Sequence, residues 1–167
     1  INSMSSGSFQ ILCTGDVHLG RRPSRVPVED DELSVRHVWE RFVETAINRE
    51  VDVVVLTGDI VDSENEMYEA FGALERGVQR LLDGGIEIVA VAGNHDHDAF
   101  PRLVRGIDAE GFHLLGPGGT WEEVQVAPGS GETVRFVGWS FPQPTVLSSP
   151  LDDLEIAETD EPTIGVL

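Results

Sequence analysis

The chain predicts an α/β fold built on a parallel sheet, and three observations carry that prediction. Apolar runs at Phe9 to Cys13, Val51 to Leu56 and Ile86 to Ala92 are rich in Val and Ile and bounded by Gly, as expected of strands buried on both faces. Segments of helical periodicity alternate with these runs, which makes the strands parallel. Each run leads into a short polar cluster: Asp16-Val17-His18, Gly58-Asp59-Ile60-Val61-Asp62 and Gly93-Asn94-His95-Asp96. Ligands bind beyond the carboxyl ends of parallel strands, so the three clusters are expected on one rim.

The elements follow in order. After the first strand and its cluster, Leu19 to Asp31 carries Pro23, Pro27 and mixed charges and is expected to be loop. Asp31-Glu32-Leu33-Ser34 opens a helix to about Arg49, with Val35, Val38, Trp39, Phe42, Val43 and Ala46 on one face. A second helix, about Glu66 to Leu82, places Met67, Ala70, Phe71, Leu74, Val78 and Leu81 inward and stops at Asp83-Gly84-Gly85. A shorter helix over Ala99 to Ala109 has Pro101 in its first turn, where proline is tolerated. From Phe112 the pattern changes. Phe112 to Leu115, Thr120 to Val126 and Thr133 to Trp139 read as short strands of an antiparallel or mixed sheet with one covered face, joined by Gly-Pro turns. Ser140 to Pro150 is expected to be loop, Leu151 to Ala157 a short helix, and Thr163 onward the start of a final strand.

The residue types at the rim point to metal chemistry. Two Asp, two His and an Asn form a hard-donor set suited to a pair of divalent cations rather than to a structural zinc. An Asp in a strand-to-helix turn can bridge two cations, while imidazole and the Asn amide add neutral donors that leave room for a phosphate. Gly58 and Gly93 permit sharp turns and close approach to a ligand.

Composition sets further bounds. With 167 residues and 40% hydrophobic content the chain can bury a core of one domain. It carries 30 Asp plus Glu against 11 basic residues, all Arg, for a formal charge of −19. That balance is the reverse of a typical nucleic-acid binder. It fits either a protein that binds no nucleic acid or one adapted to high salt, where screening confines repulsion to about 3 Å at 1 M. The acidic residues are spread along the whole chain, which favours the salt-adapted, halophilic reading. The lone Cys13 excludes an internal disulfide and is expected to be a buried thiol in a reducing cytosol. No stretch is long and apolar enough for a membrane helix, and the start lacks a signal-peptide pattern. A cytoplasmic location is expected.

The three clusters, in the contexts Thr14-Gly-Asp-Val-His-Leu-Gly20, Thr57-Gly-Asp-Ile-Val-Asp-Ser-Glu-Asn65 and Ala92-Gly-Asn-His-Asp96, resemble the first three motifs of the calcineurin-like metallophosphoesterases. They are most similar to the SbcD-type DNA nuclease branch. The resemblance implies a metallophosphoesterase-type α/β sandwich of two mixed β-sheets flanked by helices. It also implies phosphodiester hydrolysis in DNA repair, with DNA ends as substrate and an SbcC-type ATPase subunit as partner. A homodimer is compatible with it. Residue by residue, Asp16 and His18 would bind one metal, Asp59 would bridge both and Asn94 would bind the second. His95 would act on the leaving oxygen, held by Asp62. Two Mn²⁺ ions are the family-implied cofactors, with Mg²⁺, Fe²⁺ and Zn²⁺ as alternatives. The family pattern continues with a further His and a Gly-His-x-His segment, which do not occur before Leu167. The organisation expected is therefore a tag remnant and disordered N-terminus over 1–8, then the N-terminal part of a catalytic domain over 9–167. That domain would be incomplete at its C-terminus and inactive as a fragment.

Bland roles compete with these assignments. Asp16 and Asp59 could be helix caps, and Asp62 could cap the segment near Glu64. Asp96 is expected to be a structural carboxylate that fixes its turn. His97 and Asp98 fit the solvent-facing start of the next helix, and His37 and His113 fit surface or satisfied core positions. Arg21 and Arg22 either meet a phosphate or balance nearby acids, and Trp39, Trp121 and Trp139 fit the core. Rival functions are a phosphodiesterase or phosphatase for a small molecule or phosphoprotein, favoured by the net charge, and a non-catalytic scaffold. The Ser63-Glu64-Asn65 extension favours the nuclease.

Overall fold

A computed structural model of the chain describes residues 8–21, 34–62, 67–107, 109–127 and 131–167, without the side chains of 67–69. Several expectations therefore lie outside the described residues: most of the N-terminal remnant, the loop and helix start at 22–33, Arg22, and the Ser63-Glu64-Asn65 extension.

The first sheet contains β1 (Ile11–Thr14), β2 (Val53–Thr57), β3 (Glu87–Val91) and β4 (Phe112–Leu114), all parallel and in sequential order. The crossovers carry α1 (Val35–Asn48), α2 (Met67–Asp83) and α3 (Ala99–Val104). Right-handed crossovers between strands laid down in one direction put every helix on the same face of the sheet. The strand alternation then sorts side chains into two cores. Val54, Leu56, Ile88 and Ala90 pack against the helices through Trp39, Val43, Leu74, Val78, Leu81 and Phe100. Val53, Val55, Val89 and Val91 point the other way, onto Val126, Val134, Phe136 and Val166 of a second sheet. Because both faces are covered, these strands need Val and Ile at nearly every position, and each such side chain contributes roughly 1.5–3 kcal/mol on burial.

The second sheet has the order β5 (Glu122–Val126), β6 (Val134–Gly138), β7 (Thr163–Val166), with β5–β6 antiparallel and β6–β7 parallel. The layers are thus helices, parallel sheet, mixed sheet: the α/β sandwich expected of a metallophosphoesterase fold.

Helix α1 is capped by Ser34, whose hydroxyl accepts the His37 N–H at 3.2 Å. Its packing on α2 centres on Trp39, whose indole donates to the Ala73 carbonyl at 3.0 Å. The indole lies so close to Gly77 that a Cβ there would collide with it.

Five local expectations are corrected. Phe112 to Leu115 does not open the second sheet; β4 pairs parallel with β3, because the α3 crossover returns the chain in the original direction. Strand β6 is covered on both faces, since the chain after Pro150 runs over its outer side and the buried Arg135 donates to the Ala157 carbonyl at 2.7 Å. Val38 is 56% exposed rather than inward, and Leu151 to Ala157 forms only a short 3-10 turn at Pro150–Asp153. Cys13 is exposed, because β1 is an edge strand.

Candidate metal centre

The backbone beyond β1, β2 and β3 builds the site before any side chain is considered. The loop after β1 is zipped to the loop after β2: the N–H groups of Asp16, His18 and Leu19 donate to the carbonyls of Gly58, Asp59 and Ile60 at 3.1, 2.9 and 2.8 Å. Asp16, His18 and Asp59 all take left-handed backbone, with φ of 55°, 53° and 52°. Such values are uncommon outside glycine and cluster at functional sites, where surrounding structure holds them. Here the inter-loop hydrogen bonds do the holding. The β2 and β3 loops also touch: a Cβ on Gly58 would lie 2.8 Å from the Gly93 Cα, and one on Gly93 would lie 2.6 Å from the Asp59 nitrogen. Only glycine at both positions allows this approach.

Asp96 locks the third loop to the second. It is fully buried. Its carboxylate accepts four backbone N–H groups: Gly93 at 2.7 Å, Ile60 at 2.7 Å, and Asp59 and Val61 each at 3.2 Å. Burial pushes its carboxyl above the ordinary carboxylate range, the hydrogen bonds from Val61, Gly93 and Ile60 pull it back, and the Asp59 charge adds to the rise. The structural role expected of Asp96 is the one observed.

The predicted site residues come together on this frame. Donor atoms of Asp16, His18 and Asp59 all lie within 4.8 Å of one another. Asp16, Asp59 and Asn94 line one cleft of about 390 Å³, with Thr57 and Phe141 in its walls. His95 is exposed at the rim; its backbone N–H donates to Asp59 Oδ1 at 3.0 Å, and its ring centroid lies 5.5 Å from that of His18. Asp62 differs from expectation. Its Oδ1 lies 3.2 Å from His18 Nδ1 rather than against His95, while Asp16 Oδ1 lies 2.8 Å from His18 Nε2. The physical reason is the extra pairing of the first two loops, where the Asp62 N–H donates to the Leu19 carbonyl at 2.9 Å and draws Asp62 alongside His18.

Two residues of the rim escaped the sequence reading, which made 140–150 a plain loop. The buried Ser140 hydroxyl donates to the Leu115 carbonyl at 2.6 Å and accepts the Ala92 N–H at 2.9 Å. Phe141 N–H donates to the Ala92 carbonyl at 3.0 Å, which seats its ring in the cleft wall. A Ser-Phe pair directly after a buried strand carries no local signal for either contact. His97 is turned to its own loop, its Nδ1 3.3 Å from the Asn94 carbonyl, and His113 Nε2 pairs with Glu87 at 2.9 Å away from the rim.

The donor set fits a divalent cation. Two carboxylates and one imidazole within a few ångströms combine hard oxygen ligands with a neutral nitrogen, as Mn²⁺, Mg²⁺, Fe²⁺ and Zn²⁺ accept in open sites. Asp62 on the far ring nitrogen of His18 is the kind of carboxylate partner that fixes a ligating histidine's tautomer.

The comparisons with known proteins agree with this geometry. The family model for calcineurin-like phosphoesterases matches residues 9–153. The chain is 33% identical over 112 residues to the DNA double-strand break repair protein Mre11 of Sulfolobus acidocaldarius, covering 64% of this chain and 28% of that protein. It is 34% identical over 102 residues to Mre11 of Haloferax volcanii, covering 56% and 22%. It is also 33% identical over 98 residues to a probable cyclic nucleotide phosphodiesterase of Psychrobacter arcticus, covering 54% and 32%. The chain thus spans less than a third of the length of each curated relative named. Among solved structures, a dimetal phosphatase from Danio rerio superposes with a TM-score of 0.51 at 20% identity, over 87% of this chain and 49% of that one, a likeness of fold. Three motif loops meeting at one sheet rim, inside a family match that runs from β1 past β6, make this chain a member of the calcineurin-like phosphoesterase family.

Proposed function

We propose that the protein hydrolyses phosphodiesters with divalent metal ions, and that its substrate is DNA, in the manner of the SbcD-type nucleases that act on DNA ends in repair. The observation that carries the reading is the Asp16–His18–Asp59 cluster opening on a cleft that Asn94 also lines. Asp16, His18 and Asp59 would hold one cation, and Asp59 with Asn94 would contribute to a second, with Mn²⁺ the first choice. Such cations neutralise the phosphoryl oxygens and lower the pKa of a bound water. The chain's own residues do the rest. The four N–H bonds to Asp96 tie the loops together, Asp62 would orient His18, and His95 at the rim would donate to the leaving oxygen. Similarity to the DNA double-strand break repair proteins Mre11 of Sulfolobus acidocaldarius and Haloferax volcanii supports DNA as substrate, and on this reading an SbcC-type ATPase would be the partner. A second reading is a phosphodiesterase for small nucleotides, favoured by the similarity to the Psychrobacter arcticus protein and by the charge of −19.

The test is Mn²⁺ titration of this chain by calorimetry, paired with hydrolysis assays on the full-length protein using linear duplex DNA and a cyclic nucleotide. Binding of Mn²⁺ that Asp59→Ala abolishes, with degradation of linear DNA, is the expected result. Turnover of the cyclic nucleotide alone would establish the second reading. Absence of Mn²⁺ binding to the wild-type chain and of hydrolysis by the full-length protein would remove both.

A further inference from the structure

A second groove, of about 420 Å³, adjoins the metal cleft and is lined by His97, Asp98, Arg102, Arg105, Pro117 and Pro142. It is joined to the cleft at two points: Pro142 follows Phe141 of the cleft wall, and His97 Nδ1 is held 3.3 Å from the carbonyl of Asn94. Arg102 and Arg105 are three residues apart, just under one helical turn, on and just after α3, and both residues are exposed. Arg102 is ion-paired to Asp98 one helical turn before it. In a chain with 30 acidic and 11 basic side chains, a groove whose described lining residues carry formal charges that sum to a positive value, beside an acidic metal site, is a departure that needs a reason. On the proposed function the metal cleft takes the scissile phosphate. A guanidinium recognises a phosphate in a planar, two-pronged fashion.

We propose that this groove binds a second phosphate of a nucleic-acid strand whose scissile phosphate sits at Asp16, Asp59 and Asn94. The inference rests on the phosphodiesterase reading and deepens it, because a groove of this kind has no use for a substrate with one phosphate. His97 and Arg105 contact the flanking phosphate, and Arg102, steered by Asp98, completes the cradle. The groove thereby selects a strand over a mononucleotide, and offsets locally the repulsion that the rest of the surface exerts on a polyanion.

The experiment measures binding, not turnover. Fluorescence anisotropy would follow a labelled pentathymidylate with phosphorothioate linkages, in Mn²⁺ and at stepped KCl concentrations, with thymidine 5′-monophosphate as the one-phosphate competitor. Wild type, Arg105→Ala and Arg49→Ala would be compared; Arg49 lies at the far end of α1, beside the start of β2. The expected result is that Arg105→Ala lowers the ratio of pentathymidylate to thymidine monophosphate affinity about tenfold. It should also reduce the slope of log affinity against log salt by about 0.7, the value for one lost phosphate contact on a single strand. Arg49→Ala should change neither. An unchanged ratio and salt slope in Arg105→Ala would overturn the groove. So would a wild-type protein that binds pentathymidylate no more tightly than the monophosphate, and in both cases the phosphodiesterase reading would stand. Failure of both probes to bind in Mn²⁺ would remove that reading and the groove with it.

Discussion

Asp62 Oδ1 lies 3.2 Å from Nδ1 of His18, on the side of the ring opposite the nitrogen that faces Asp16. The contact joins the first and second motif loops through side chains, just as the Leu19 carbonyl and Asp62 N–H join them through the backbone. A carboxylate that accepts Nδ1–H leaves the Nε2 lone pair free for a cation, so on the proposed function the pair would orient His18 as a ligand.

That arrangement predicts a graded response at Asp62. Asp62→Ala should weaken Mn²⁺ binding by about 10–100-fold, the usual cost of removing such a partner. Asp62→Asn keeps an oxygen that accepts Nδ1–H and should lose much less. Calorimetric titration of the two variants distinguishes this from a contact to His95, for which neither substitution would move metal affinity.

His95 should separate catalysis from metal binding. Its ring stands at the rim beside His18, and its backbone, not its side chain, contacts Asp59. In the full-length protein His95→Ala should lower turnover of a phosphodiester by ~10²–10⁴-fold, as for a lost general acid, with Mn²⁺ affinity close to wild type. Asp59→Ala should remove both. Undiminished turnover by His95→Ala would exclude a role in the chemical step.

Asp96 should matter most to stability. Replacing it by Ala orphans the N–H groups of Asp59, Ile60, Val61 and Gly93 in a buried setting. At roughly 1–3 kcal/mol for each unsatisfied buried donor, and with water able to rescue some, a loss of about 3 kcal/mol or more is expected. The melting temperature should fall by about 6–12 °C, at ~2–4 °C per kcal/mol for a domain of this size. A drop of a degree or less, read by calorimetry, would show that the carboxylate is not the lock between the loops.

The formal charge of −19 makes stability salt-dependent. Self-repulsion among surface carboxylates is screened as the Debye length shrinks from about 10 Å at 0.1 M to about 3 Å at 1 M salt. The melting temperature should therefore rise across that range in KCl, and a flat or falling curve would argue that the acidic surface carries no such burden.

How much of this was legible in the chain differs from element to element. Strands β2 and β3 and the helices were plain, because a strand covered on both faces must be apolar throughout and a helix covered on one face must repeat with its own period; β1 shared the apolar run although it lies at the sheet edge. The meeting of the residues proposed as metal donors was plain for a related reason: a parallel sheet sends the ends of all its strands to one rim, so Asp16, His18, Asp59 and Asn94 had to be neighbours once their strands were identified. Strand β4 was misplaced because three residues carry no periodicity that distinguishes parallel from antiparallel pairing; the α3 crossover decided it. Cys13 and Val38 were misjudged because exposure depends on which strand is the edge and which part of a helix overhangs its neighbour. Tertiary structure alone decided the left-handed backbone at Asp16, His18 and Asp59, which hydrogen bonds from a distant loop impose against local preference. It alone brought Ser140 and Phe141 from the second sheet to the rim and turned Asp62 toward His18. Local sequence determines which residues an element can offer; only the packing of one element on another determines which of them meet.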